Sequence, residues 1–377
     1  MKRITWVLVI SILTLLLLAP AGAFAGNPPY KVALSMSYIG NDWQGISANV
    51  LTAMWELKYR DQVSALDVYV AGTDAANQNR QILQMIAKGY DMIICYPISP
   101  TALNNSIKKA TDAGVVFINY DSEVTAPTAY NLTFDNYDAA VKSTEWLAKT
   151  LNYKGNIVVI NGVPGTTVDT DRRRGVGDVI AKYPGMKIVA EFPGMWANGP
   201  SYDGMTKILA AGIDFDGIFT QGGGAGTVQA LLDAKHRLVP MGNESENRVR
   251  LMMMDPSMKE KGFAASSYGS PMYQGAAALY YGLKILQGDK TVPKRIVIPY
   301  PFVLQAGDTF KPSGDTSKLS LQPLKLTNTG SVEDLANGAN VFAPEIVGPG
   351  FFCNIFHPLY TPGLDLTMAL TGRASPR

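Results

Sequence analysis

Four short apolar runs punctuate the first third of this chain at near-regular intervals: KVALSMS (31–37), LDVYVAG (66–72), DMIICYPI (91–98) and VVFINYD (115–121). Runs of this length, rich in Val and Ile and bounded by Gly, Pro and Asp, read as buried strands. Between them the apolar residues recur at helical spacing. Ile46, Val50, Met54 and Leu57 mark one helix, Ile82, Met85, Ile86 and Gly89 the next, and Leu103, Ile107 and Ala110 the third. Asp74 stands where the second helix needs an N-cap. Buried strands joined by helices predict a parallel sheet covered on both faces.

The alternation then restarts. YNLTF, a helix through NYDAAVKSTEWLAKTLN, GNIVVING, a helix through RRRGVGDVIAKY, KIVAEF, a helix through MTKILAAG, DGIFTQ and the helix GTVQALLDAKH read as a second unit of the same kind. The run VRLMMMD (249–255) adds a further strand. With no short-period repeat, the chain reads as an α/β protein of two similar, doubly wound lobes, and 377 residues suffice for two such domains.

The N-terminus has another purpose. A basic MKR, the apolar ITWVLVISILTLLLLAP and the small-residue AGAFA have the layout of an export signal cleaved after Ala25. A permanent anchor needs ~20 apolar residues and usually lacks such a cleavage site. No cysteine stands beside that site to carry a lipid, so the mature chain is expected in the periplasm. Without Lys2 and Arg3 the 33 Lys and Arg become 31, against 31 Asp and Glu, and this balance offers nucleic acid no electrostatic footing. Cys95 and Cys353 could pair in an oxidising compartment, but Cys95 lies in MIICYPI and reads as a buried small hydrophobe.

In open sheets of this type ligands bind beyond the carboxyl ends of the strands. The residues there are Asn41 and Trp43, Asp121 and Ser122, Arg172 in TDRRRG, Trp196 after VAEFPGM, Gln221 in QGGGAG, and Asp255 after VRLMMMD. Aromatic faces cover the C–H surfaces of a polyhydroxylated molecule, and carboxylates, an amide and a guanidinium hold its hydroxyls. Trp55 and Trp146 fall at core-like helical spacing and are assigned to packing, and Arg173 and Arg174 to a solvated helix face.

These residues also carry a resemblance. QILQMIAKGYDMIICYPISPTALNNSIKKATDAGVVFINYDS, GNIVVINGVPGTTVDTDRRRGVGDVI, DGIFTQGGGAGTVQALLDA, LMMMD and AASSYGSPMYQGAAAL make the chain resemble the periplasmic sugar-binding proteins of the ribose and galactose type, from about Lys31 to about Phe302. The resemblance implies a type I periplasmic binding protein: two doubly wound parallel-sheet lobes joined by a three-strand hinge, closing on a ligand and passing it to an ABC transporter permease. By position, Asn41 and Trp43 match a polar and a stacking residue of the first loop. Asp121, Arg172 and Asp255 match hydroxyl-binding residues, and Trp196 an aromatic that closes over the ring.

The chain departs from the ribose receptors at Ser122, Gly222 and Gly269, where they carry arginine, asparagine and glutamine, and its longer loop adds Asp169 or Asp171. The departures predict a roomier site. The expected division is a signal peptide at 1–25, a first lobe at 27–133 plus 270–298, and a second at 134–269 plus 299–377. The second includes an irregular extension after about Gly307, with an aromatic cluster at Phe351, Phe352 and Phe356.

An enzyme has few parts to draw on. GGGAGT (222–227) places Thr227 where the dinucleotide fingerprint needs its last glycine, and no phosphate loop occurs. His236 and His357 are the only histidines, neither beside a nucleophile motif, so no catalytic site, metal or cofactor is expected. The expectation is a monomeric receptor for a sugar or polyol. The same pocket would serve a receptor that presents its ligand to a chemotaxis or sensor protein. The export signal and the missing helix-turn-helix exclude a repressor of related fold.

Overall fold

The computed structural model describes residues 27–244, 246–298, 300–303 and 311–312. The expected signal peptide, Cys353, His357 and the aromatic cluster of the extension lie outside the described residues. In chain order the elements of the first half are β1 (Tyr30–Met36), α1 (Asp42–Met54), β2 (Val63–Val70), α2 (Ala75–Ala87), β3 (Met92–Tyr96), α3 (Asn104–Asp112), β4 (Val116–Tyr120), β5 (Tyr130–Phe134), α4 (Asn136–Thr150), β6 (Gly155–Asn161) and α5 (Thr167–Ala181). There follow β7 (Met186–Pro193), α6 (Asn198–Ala210), β8 (Gly217–Thr220), α7 (Gly224–Asp233), β9 (Met241–Glu244), α8 (Asn247–Met254), α9 (Pro256–Glu260), β10 (Ala265–Tyr268), α10 (Gln274–Leu286), β11 (Arg295–Ile298), β12 (Pro301–Val303) and β13 (Lys311–Pro312). A single turn of π-helix, Trp55–Tyr59, ends α1.

Two sheets organise these elements. The first runs β2-β1-β3-β4-β5-β11, all parallel, and the second β7-β6-β8-β9-β10, also parallel. Antiparallel β12 and β13 extend the second sheet beyond β10. Taking each lobe's strands in turn, both parallel sets contain the order 2-1-3-4-5, extended in the first by β11 beside β5, with the direction of winding reversing between strands one and three. Those reversals, β1/β3 and β6/β8, are where such sheets leave a crevice. The burial pattern follows position in the sheet. Central β3 and β4 are buried at every residue, whereas edge strand β7 alternates between sheltered and exposed faces.

Three connections pass from one lobe to the other: β5 into α4, β10 into α10, and β11 into β12. Helix α4 packs over β8, β9 and β10, while α10 returns to pack on β3, β4, β5 and α1. Asp74 caps α2 through the amides of Ala76 and Asn77. Trp55 donates to the Val63 carbonyl, and Trp55 and Trp146 pack against the core.

Two strand readings are corrected. YNLTF does not open the second unit, because β5 sits between β4 and β11 in the first sheet. VRLMMMD is not a strand but most of helix α8 and the residue after it, since Leu, Met and Arg favour a helix. The fourth strand of the second sheet is instead the short β9. Among the described residues no helix is long and apolar enough to cross a membrane.

Candidate functional site

A small cavity lies between the carboxyl ends of the two sheets. Asn41, Trp43, Gln44, Tyr96, Asp121 and Ser270 line it from the first lobe and the adjoining crossover, and Val168, Arg172, Trp196 and Glu244 from the second.

The first wall is aromatic. Trp43, in the opening turn of α1, lies 5.9 Å from the Tyr96 ring and 6.5 Å from Tyr120, and these two tyrosines are 5.6 Å apart. The indole is only 5% exposed and donates from Nε1 to the Ser270 carbonyl (3.1 Å), which fixes one face of the ring toward the cavity. Asn41 begins α1 through a capping box with Gln44: each side chain accepts from the other residue's backbone N–H. Its Nδ2 also donates across the cleft to the Trp196 carbonyl at 2.9 Å. A second bond across the cleft joins the Glu123 N–H to Thr167 Oγ1 (2.8 Å).

Asp121 follows β4 with φ 64°, a left-handed conformation that Asp tolerates better than most residues. Its Oδ1 accepts from Gln274 Nε2 at 2.9 Å. Burial pushes its carboxyl up to about 6, against the opposing pull of Arg172 and the Gln274 hydrogen bond.

The second wall is charged. Arg172, 1% exposed, donates from Nη2 to Glu244 Oε1 (2.9 Å), from Nη1 to the Gln221 carbonyl (3.0 Å) and from Nε to Asn136 Oδ1 (2.9 Å). Burial pushes the Glu244 carboxyl up to about 7, only partly countered by the guanidinium, which stays protonated. Trp196 is 6% exposed and, like Met195, takes a left-handed conformation, with φ 52° and 57°. Such a backbone costs ~1–3 kcal/mol per residue and persists where the surroundings impose it. One such constraint is Gly162, where a Cβ would fall 2.0 Å from the Trp196 indole nitrogen.

The turn QGGGAG does not await an anion. The N–H groups of Gly223, Gly224 and Ala225 donate to the buried Glu246 carboxylate at 2.6, 3.1 and 2.9 Å, and that of Gly226 to Asn198 Oδ1 at 2.8 Å. The end of α7 that would cradle a phosphate is therefore filled by the protein's own carboxylate. Gly223 makes this turn at φ 80°, and a Cβ there would meet Ser201 Oγ at 2.1 Å.

Asn41, Trp43, Asp121, Arg172 and Trp196 are thus brought together by the structure. Gln221 stands behind them: its carbonyl holds Arg172, and its side chain bonds Trp196 Nε1 (3.4 Å) and the Asp169 carbonyl (3.2 Å). Asp255 is a correction. It is exposed and caps α9 through the Ser257 N–H, and the second-lobe carboxylate that lines the cavity is Glu244. Neither added aspartate lines the cavity, since Asp169 holds the Gly162 N–H and Asp171 pairs with Arg174. Gln44, Tyr96, Glu244 and Ser270 were missed. Tyr96 ends the run MIICY and was legible by the strand-end rule, while Glu244 ends a strand too short to be seen.

Two lobes closing on a cavity at their paired switch points define a bilobal binding protein. Residues 32–290 match the periplasmic binding protein domain, and the chain belongs to that family. It is 29% identical over 175 residues to a xylitol-binding protein of Mycolicibacterium smegmatis, covering 45% of this chain and 50% of that protein. It is 28% identical to a putative rhizopine-binding protein of Rhizobium meliloti over 261 residues, 66% of this chain and 83% of the relative. The chain thus spans half the length of the first relative and most of the second. Among solved structures, an ABC transporter solute-binding protein from Thermobispora bispora superposes with a TM-score of 0.67 at 28% identity, over 73% of this chain and 84% of that one.

Proposed function

We propose that this protein captures a small sugar or polyol between its lobes and delivers it to the permease of an ABC transporter. The observation that carries the reading is the cavity itself: Trp43 and Tyr96 on one side and Trp196 on the other, with Asp121, Arg172 and Glu244 between. Ring faces take the C–H surfaces of the ligand, and the charged groups take its hydroxyls. Its relatives bear names such as xylitol-binding protein and ABC transporter solute-binding protein, which supports both the ligand class and the partner.

In this reading the lobes are residues 27–133 with 270–298, and 134–269 with 299 onward, and the three connections flex as a hinge. Ligand settles on one lobe, and the other completes its shell. The Asn41–Trp196 and Glu123–Thr167 hydrogen bonds, which exist only when the lobes meet, add to the closed state. The protein acts in the periplasm after removal of residues 1–25, as a monomer, without catalysis, cofactor or nucleic acid. The bound groups are Asn41, Trp43, Asp121, Arg172, Trp196 and Glu244, with Gln221 supporting them.

The test is a thermal-shift panel on mature protein stripped of ligand by unfolding and refolding. Pentoses, hexoses, polyols and disaccharides are compared. A ligand at a hundred times its Kd adds ~2.7 kcal/mol, which raises Tm by several degrees. A shift with a sugar or polyol is the expected result, and a panel without any shift would overturn the reading.

A further inference from the structure

The second lobe buries three apolar residues outside its own core. Val163, in the loop after β6, Val168, in the first turn of α5, and Trp196, in the loop after β7, are 4%, 2% and 6% exposed. They form a cluster of their own, apart from the two larger clusters that cover the faces of the second sheet. Met195 of the same lobe packs against this cluster, and so does Tyr38 of the first lobe. Tyr38 follows β1 by one residue, so its ring meets the cluster across the cleft from the carboxyl edge of the opposite sheet.

Both halves of this contact are set within their own lobes. A Cβ on Gly40 would fall 2.7 Å from Tyr38 Cε2, so the ring lies back over the Gly40 backbone, and the Tyr96 ring stands 6.3 Å from it. On the other side the Trp196 indole occupies the space that a side chain at Gly162 would need. The polar bridges beside the contact are of a different kind. Asn41 Nδ2 bonds the Trp196 carbonyl, and the Glu123 N–H bonds Thr167 Oγ1, next to Val168. When the lobes part, these groups exchange one another for water, and the net loss is small. The apolar contact has no such replacement, because opening uncovers the cluster and the Tyr38 ring to solvent. How often the lobes stay shut is therefore decided by the apolar contact.

On the hinge reading of the three connections, we infer that Tyr38 is an apolar latch: its ring, seated on the Val163, Val168 and Trp196 cluster, draws the lobes together before any ligand arrives. Ligand-free protein then spends a sizeable share of its time closed. Every ligand gains alike from this, because the form that holds it is already populated, until that form predominates. The latch sets affinity, and the cavity walls set selectivity.

Single-molecule FRET on mature protein, stripped of ligand by unfolding and refolding, tests this. Dyes go on Lys109→Cys in α3 and Lys207→Cys in α6, both exposed, with Cys353→Ser removing a competing thiol and Cys95 buried. Closed and open populations are expected, and Tyr38→Ala should lower their ratio about tenfold, or ~1.4 kcal/mol. Tyr38→Phe keeps the ring and should keep the ratio. Val163→Ala trims the seat of the latch without touching the cavity lining, and should lower the ratio severalfold.

A wild-type protein with no closed form before ligand is added would overturn the latch, and so would a Tyr38→Ala ratio equal to that of wild type. Should Tyr38→Ala fail to fold, Val163→Ala decides, and an unchanged ratio overturns the latch. If Tyr38→Phe falls as far as Tyr38→Ala, the hydroxyl and not the ring holds the lobes, and the apolar latch is overturned. The receptor reading fails separately: it falls if no sugar or polyol of the thermal-shift panel raises the closed share of either wild type or Tyr38→Ala.

Discussion

The two walls of the cleft sit on the same strand order yet keep their shape by different means. On the first lobe the cavity surface is the outer layer of a packed core. Trp43, Tyr96 and Tyr120 touch one another and continue into the cluster that holds β1, β3 and α10. On the second lobe the surface is held by charge and backbone geometry: a buried ion pair, two left-handed residues, and a glycine turn closed by an internal carboxylate. Packing is distributed over many contacts, and loss of one is shared. A buried charge is local, and loss of its partner is not.

The comparison therefore predicts its own largest effect at Arg172. Arg172→Ala leaves Glu244 buried and unpaired, which costs about 3–5 kcal/mol of stability. The double variant Arg172→Met/Glu244→Leu should recover most of that loss, because well-packed apolar residues can replace an ion pair, while ligand binding stays lost. Urea unfolding of both variants reads this directly. A single variant that unfolds like wild type would mean that the second wall is not held by its charges.

Next in size is Glu246→Ala, which strips the α7 amides of their acceptor. We expect a loss of about 1–3 kcal/mol, the cost of unsatisfied buried donors. Sulfate should then stabilise the variant more than it stabilises wild type, because the vacated end of α7 favours an anion. Equal sulfate responses would argue that Glu246 is not what closes this turn.

These two predictions rest on residues that differ in how visible they are in the sequence. Arg172 could be placed because α5 follows a long apolar strand, GNIVVING, whose end is clear. The first lobe was legible for the same reason, since β1, β3 and β4 are buried along almost their whole length. Glu244 was not legible. Its strand, MGNE, has one apolar side chain and is held in place by neighbours on both sides, β8 and β10, rather than by its own pattern. The adjacent VRLMMM has the stronger apolar signal, but periodicity does not separate a short buried helix from a strand, and Met and Leu decide for the helix. That one misreading moved the second carboxylate from Glu244 to Asp255. Glu246 escaped because a side chain capping a helix more than twenty residues upstream leaves no local spacing to read.

Smaller still is Asn41→Ala on the first wall. Loss of the cap on α1 costs about 1 kcal/mol. The same side chain reaches the Trp196 carbonyl, so its removal should also weaken ligand binding through the closed state, mainly by raising the off-rate. Stopped-flow release of ligand, compared with equilibrium unfolding, separates the two roles. A variant that loses stability but keeps its off-rate would confine Asn41 to capping.

The gentlest probe of the comparison is pH without ligand. Burial raises the carboxyls of Asp121 and Glu246 to about 6 and of Glu244 to about 7, all above their ordinary values. The sign follows from proton counting. Between pH 4 and those values the folded state holds protons that the unfolded chain has released, so stability falls as pH rises through that window. The cost of keeping these groups charged is fully present above their folded pKa values and gone below their unfolded ones. Tm of the ligand-free protein should therefore climb as pH is lowered from 8 toward 5. Two of the three carboxyls belong to the second wall, so Glu244→Gln and Glu246→Gln together should flatten the slope more than Asp121→Asn. A Tm that rises with pH over this range would mean that these carboxyls are paired well enough to be ionised at low pH, and the second wall would then be as self-sufficient as the first.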